Sequence, residues 1–250
     1  MLKKRVLPVI VILLLALQIT NSQLLGLFTS VSGIGGGPIV GWHFNKIDVL
    51  NTELKNAGFP QLSKNGFFTL GAGGFIDLAM FKNSSLRIGG MGIGFNSNIS
   101  SVVNDSLTKA VNYGFGMGGL SVEYVKSFHS LDLIAGAEFT TGTLKIDLYQ
   151  YGKDYGNYNP IFGEFANNSS SQNITRNFKL RFWAVQPQVS VAYTIKNIVY
   201  LKLTGGYLLS TGSSWKVDND VTVTNFPSGI KPDGFTVNLS INAGFFFTDK

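Results

Sequence analysis

The chain has no cysteine, two histidines and only 14% charged residues. Lack of cysteine removes disulfides, thiolate metal sites and a lipid-modified N-terminal cysteine. After residue 19 no apolar stretch approaches the roughly 18 residues that a membrane-crossing helix needs. The 20 basic and 14 acidic residues are scattered rather than clustered, which sets nucleic acid aside as a partner. What the chain has in quantity is glycine (30) and phenylalanine (20), a composition suited to strands rather than to a soluble helical fold.

The N-terminus reads differently from the rest. Lys3, Lys4 and Arg5 precede an apolar run from Val6 to Ile19. As a helix that run rises about 21 Å, short of a roughly 30 Å hydrocarbon core, so it reads as a secretory signal over residues 1–22. No A-x-A sequence follows. Thr20 at −3 and Ser22 at −1 place cleavage before Gln23 and leave 23–250 as one domain. Removal takes three basic residues, so 17 bases then face 14 acids.

A period-2 scan finds eight strand candidates. In the last, Phe235, Val237, Leu239, Ile241, Ala243, Phe245 and Phe247 share one face, and Thr236, Asn238, Ser240 and Asn242 share the other. Similar alternation runs through Phe68–Leu78, Leu131–Thr140 and Val199–Ser210. The first strand reads as short, around Val40, Trp42 and Phe44. The third, Leu86 to Phe95, is too glycine-rich for its facing to be assigned. Two segments change parity midway. Val111, Tyr113, Phe115 and Met117 give way to Leu120, Val122 and Tyr124, and Phe178, Leu180 and Phe182 give way to Pro187, Val189 and Val191. A β-bulge near each switch is the expected cause.

Connections alternate. Asn45–Gly66, Asn96–Thr108, Asp147–Asn177 and Gly212–Gly234 read as long loops. The links at Phe81–Ser85, Ser127–Ser130 and Lys196-Asn197 are short. Long loops at one end and tight turns at the other, with an even strand count, are expected when the two ends face different compartments. The fold class expected is therefore an all-β, eight-stranded antiparallel up-and-down transmembrane β-barrel in the outer membrane. Aromatics including Trp42, Tyr113, Phe139, Phe178 and Tyr207 fall toward the loop ends, and Tyr124, Phe128 and Tyr193 toward the turns, as interfacial girdles would. On these features the chain resembles the small OmpA/OmpX-type outer-membrane barrels. The resemblance is architectural and covers nearly all of residues 23–250. The terminal Phe245 and Phe247 match the alternating last strand of such barrels, although Thr248, Asp249 and Lys250 follow them.

If the apolar faces meet lipid, the lumen receives Asp77, Glu123, Asp132 and Glu138 together with Arg87, Lys179, Arg181 and Lys202. Four acids facing four bases in so narrow a space are expected to pair, giving a plugged lumen. Function then moves to the outer loops. Asp48 to Gly58 reads as a short helix with Asp48 as N-cap and Ile47, Leu50 and Leu54 on one face. Tyr149, Tyr151, Tyr155, Tyr158 and Trp215 are the expected outer contacts, for a surface ligand that the sequence does not name. Gly114, Gly116 and Gly119 match a dinucleotide pattern but sit in a strand-like stretch. His43 and His129 fall at opposite ends of the barrel, so no shared metal, cofactor or dyad is expected. An enzyme built on His43 and a loop serine is the weaker reading, beside a non-enzymatic barrel, a narrow carrier for a small apolar solute, or a soluble secreted ligand-binding barrel.

Overall fold

The structure is a computed structural model describing residues 31–104, 107–152 and 173–247. The expected signal peptide (1–22), Tyr155 and Tyr158 lie outside these residues. The elements are β1 (Val31–Asn45), α1 (Asp48–Asn56), β2 (Phe67–Phe81), β3 (Ser84–Asn104), β4 (Leu107–Phe128), β5 (Leu131–Gly152), β6 (Ile174–Ile195), β7 (Val199–Gly212), β8 (Lys216–Val217), β9 (Val221–Thr222) and β10 (Gly234–Phe246). Strands β1 to β7 pair antiparallel in sequence order, and β10 joins β7 to β1. This is a closed ring of eight.

Register fixes the shape of that ring. From Gly33 the ladder passes directly across to Asp77, Arg87, Glu123, Gly136, Gln188, Gly206 and Thr236, and returns to β1 at His43. One circuit therefore advances ten residues, from 33 to 43. A stagger of that size over eight strands tilts them roughly 40°, and an eight-stranded barrel is just wide enough for its own side chains.

Turn chemistry matches the tight end. At the β6–β7 hairpin Lys196 and Asn197 both have positive φ (50° and 59°), and the Ile198 N–H donates to the Ile195 carbonyl at 3.1 Å. Two positive-φ central residues suit the right-handed twist of the flanking strands. Asn83 and His129 supply the same left-handed backbone at the β2–β3 and β4–β5 turns.

Several expectations need correction. Strand β1 begins at Val31 and runs through the glycines at 33, 35, 36 and 37, so it is not short. The loop expected over Asn96–Thr108 is mostly strand, with Val102 opposite Thr108 and Asn104 opposite Leu107. Likewise β5 continues to Gly152. The bulges expected in β4 and β6 are absent, and both ladders hold one register across the parity switch. In β4, residues 111, 113, 115 and 117 point inward with 121, 123 and 125. In β6, Leu180, Phe182 and Ala184 point inward with Gln186, Gln188 and Ser190. The strands stay regular while the lumen changes character. It is apolar near the loop end and polar below, so apolar residues move from the inner to the outer face along one strand.

The loops explain why the upper lumen is apolar. Helix α1 lies across the mouth, burying Leu50 and Leu54 with Ile47, and Asn51 clamps the returning loop through both polar atoms to the Leu62 backbone (2.8 and 3.0 Å). Asp48 is not the N-cap. That position is Ile47, without a side-chain cap bond, and Asp48 pairs with Lys64 instead at 2.6 Å. The segment 213–233 covers the remaining opening. Trp215 stacks on Phe226 with ring centroids 4.3 Å apart, and Ile230 is buried beside them. These residues form one hydrophobic core with Val111, Tyr113, Leu144, Ile146, Leu180 and Leu208 of the wall. The Trp215→Ala variant should lose about 3–5 kcal/mol by cavity formation, read from the shift in urea midpoint of the refolded protein.

Candidate functional site

The ladder row that fixes the stagger also places the charges. Asp77, Arg87 and Glu123 are direct neighbours on β2, β3 and β4, all on the inward face. Arg87 is fully buried, with Nε donating to Asp77 Oδ1 at 2.6 Å and Nη2 to Oδ2 at 2.8 Å. The same Nη2 reaches the Tyr200 hydroxyl at 2.9 Å, and that hydroxyl donates to Asp132 Oδ2 at 2.7 Å. Two rings pack against the guanidinium, Phe75 at 3.7 Å and Tyr200 at 4.6 Å from centroid to Cζ. Bidentate pairing and ring stacking are what a planar guanidinium offers and a lysine does not.

A second cluster spans the opposite wall. Lys202 Nζ lies 2.5 Å from Glu123 Oε1, which also accepts from Gln188 Nε2 at 2.7 Å. Gln186 Nε2 links Gln188 (3.2 Å) to Glu138 (3.4 Å). Between the clusters remains a cavity of about 50 Å³, reached by Ser121, Thr204 and Asn238. Arg87 Nη1, Glu123 Oε2 and Asn238 Oδ1 are buried without a hydrogen-bond partner among the described residues. A polar cavity of this size holds a water or two and nothing larger.

Above this layer the lumen is filled by rings. His43 stacks on Phe115 at 5.1 Å, Phe115 on Phe182 at 5.8 Å, and Phe67 on Phe95 at 4.6 Å. His43 Nε2 is 3.0 Å from the Pro232 carbonyl, tying the covering loop to β1. Below the charges the described residues leave a recess of about 560 Å³ at the turn-side mouth, lined by Asp77, Asp132 and Tyr200.

Of the eight residues expected in the lumen, six meet there. Lys179 and Arg181 do not. They share the outward parity of Trp183, because Leu180 and Phe182 take the inner positions. The described lumen layer thus sets Asp77, Glu123, Asp132 and Glu138 against Arg87 and Lys202 alone. Tyr200, Gln186 and Gln188 were not singled out from the sequence, though each has the inward parity of its strand. Among the outer contacts, Trp215 is buried in the cover and is no surface group. Tyr149 and Tyr151 are half-buried strand residues of β5, both already engaged in contacts. Tyr113, expected in the outer girdle, is buried in the lumen, and Phe178 packs on Phe226.

The outer wall carries the surface a lumen would not. Phe44 pairs with Phe235, Trp42 with Phe68, and Leu120 with Phe139 across the sheet, all exposed. Val189, Leu203, Leu239 and Ile241 continue the band. An apolar exterior around a polar, blocked interior inverts the pattern of a soluble barrel. The architecture is that of a small outer-membrane barrel.

No family model matches the chain, and no curated protein matches it. Among solved structures it is similar to Ail, the attachment invasion locus protein of Yersinia pestis, crystallised with the heparin analogue sucrose octasulfate. The match has 9% identity over 85% of this chain and 95% of that one, with TM-score 0.37. Ail without that ligand gives 9% identity, the same coverage and TM-score 0.33. Acinetobacter baumannii CarO gives 11% identity over 87% of this chain and 98% of that one, with TM-score 0.35. At such scores the fold rests on the strand ladder itself.

Proposed function

We propose that this protein is a non-enzymatic outer-membrane barrel, sealed to solutes, whose role is carried by the part of its wall that stands outside the bilayer. The observation that carries the reading is the combination of an exposed apolar exterior with a lumen blocked at two levels. Strand lengths supply the rest. Strands β3 to β6 have 21 or 22 residues, whereas β1, β2, β7 and β10 have 13 to 15. At 3.4 Å per residue and a 40° tilt the long strands climb about 57 Å and the short ones about 37 Å, against an apolar band of ~25 Å. The turns level all strands at the other end, so the excess stands at the loop end as a four-stranded platform. His43, the residue on which an enzyme would depend, is buried under rings and held by Pro232, out of reach of a substrate.

Two measurements test this. The protein should fractionate with outer membranes and show heat-modifiable gel migration; recovery as a soluble periplasmic species overturns the location. In planar bilayers the refolded protein should give no conductance steps. Reproducible steps, or uptake of a small apolar solute through the lumen, would favour the carrier reading instead.

A further inference from the structure

The outward face of the platform holds basic side chains where a sheet ordinarily avoids them. Lys145 on β5 is directly opposite Lys179 on β6, and Lys179 is directly opposite Lys216 on β8. Arg181 follows Lys179 by two residues on the same face, opposite Thr143. Like charges placed directly across a ladder destabilise the pairing, so a row of three is unfavourable unless an anion covers it. Two other bases at this end are paired with acids. Lys64 binds Asp48 at 2.6 Å and Arg176 binds Asp218 at 3.3 Å. Among the described residues Lys145, Lys179 and Arg181 form no salt bridge, and Lys216 reaches only the Asp220 carbonyl (3.2 Å) and the Thr222 hydroxyl (2.9 Å). One acid shares the face. Asp147 lies two residues beyond Lys145, and its carboxylate accepts from Asn112 at 3.3 Å.

Position selects the anion. Immediately below Arg181 on the same face is Trp183, 71% exposed, and next come Val185 with its neighbours Phe139 and Leu209. A large indole at the top of an apolar band marks the membrane–water boundary. The cluster begins two residues above it and extends two further, about 7–14 Å along the strand at 3.4 Å per residue. That is headgroup level. Adjacent strands ~4.8 Å apart set the three lysines over a span of about 10 Å, with the forked Arg181 guanidinium beneath them.

We infer that Lys145, Lys179, Arg181 and Lys216 form a binding site for the phosphate groups of a phosphorylated glycolipid in the outer leaflet. The site anchors the long side of the barrel to its surrounding lipid. It rests on the membrane-spanning reading above, and extends it from a general apolar fit to a recognised headgroup.

The test uses the folded protein in detergent, mixed with phosphatidylcholine and bisphosphorylated lipid A, with bound lipid counted by native mass spectrometry. Wild type should retain lipid A in preference to phosphatidylcholine and to dephosphorylated lipid A. With roughly 1 kcal/mol per base near a charged surface, K179Q should weaken retention about five-fold and K145Q/K179Q/R181Q on the order of 100-fold. K46Q/K55Q/K231Q removes equal charge from exposed positions outside the cluster and should retain lipid A as wild type does. Millimolar inorganic phosphate should not compete. Heat-modifiable migration confirms that each variant is folded, and the single K179Q variant stands in should the triple one fail to fold. Equal retention by K179Q and wild type, equal binding of dephosphorylated lipid A, or a preference for soluble heparin over lipid A overturns the site. A protein that never enters micelles or bilayers would instead overturn the membrane reading itself.

Discussion

Replacing Arg87 with methionine should cost about 3–5 kcal/mol, a large share of the stability of any small domain. The change keeps the aliphatic bulk against Phe75 and Tyr200 but removes both bonds to Asp77 and the one to the Tyr200 hydroxyl. Asp77 is left buried with its charge uncompensated, and Asp132 loses the cation with which it communicates through Tyr200. The expected loss is therefore the penalty of a stranded carboxylate rather than the modest net worth of an ion pair. Urea titration of the protein refolded into lipid vesicles measures it. The double variant Arg87→Met with Asp77→Leu should recover most of the loss, since neither charge then remains. A single variant within about 0.5 kcal/mol of wild type would show that the charges do not hold the lumen together.

A comparably large effect is expected at the closing seam. A Cβ on Gly244 would sit 1.9 Å from the Ile34 carbonyl oxygen and 2.6 Å from the Gly35 Cα, both backbone atoms that cannot swing aside. Gly244→Val should therefore destabilise by ~3 kcal/mol or more and shift the folded, fast-migrating gel band to the unfolded position. Gly116 provides the contrast. It faces outward from β4, and a Cβ there meets nothing within 4 Å. Gly116→Ala should stay within about 0.5 kcal/mol of wild type. Equal tolerance at both positions would mean that the β1–β10 pairing is looser than its register shows.

The ring of eight was legible in the sequence because Phe235–Phe247 and its counterparts alternate cleanly, and alternation is what a two-faced wall imposes. The inner acids Asp77, Glu123, Asp132 and Glu138 were legible for the same reason, each lying opposite an apolar run. Legibility failed where the inward face of a strand is apolar and the outward face polar. Near the loop end the lumen is packed by α1 and the segment around Trp215, so Leu180 and Phe182 look like lipid-facing residues although they point inward. That local reversal sent Lys179 and Arg181 to the wrong side and suggested bulges that the ladder does not have. It also hid Tyr200, since a tyrosine between Val199 and Leu201 reads as one more apolar residue. Its hydroxyl, bridging Arg87 to Asp132, is visible only once β3, β5 and β7 share a lumen. Loop lengths misled in one further respect. Polar residues from Asn96 to Ser101 read as a connection, yet strands that rise clear of an apolar environment have no need of apolar faces.

The pairing of β1 with β10 bears on how the molecule comes to exist at all. Gly33 and Phe246 are ladder partners, so the first described strand waits for the last before half its backbone groups are satisfied. Any intermediate lacking that pair carries two bare strand edges, which hydrocarbon does not tolerate. Contacts between chain ends so remote also form late, because the entropy of closing the intervening chain must first be overcome. For a barrel that spans a membrane, as proposed above, folding and insertion are accordingly a single event. A chain truncated before Gly234 would be expected to aggregate through its open edges rather than enter the bilayer as a smaller barrel.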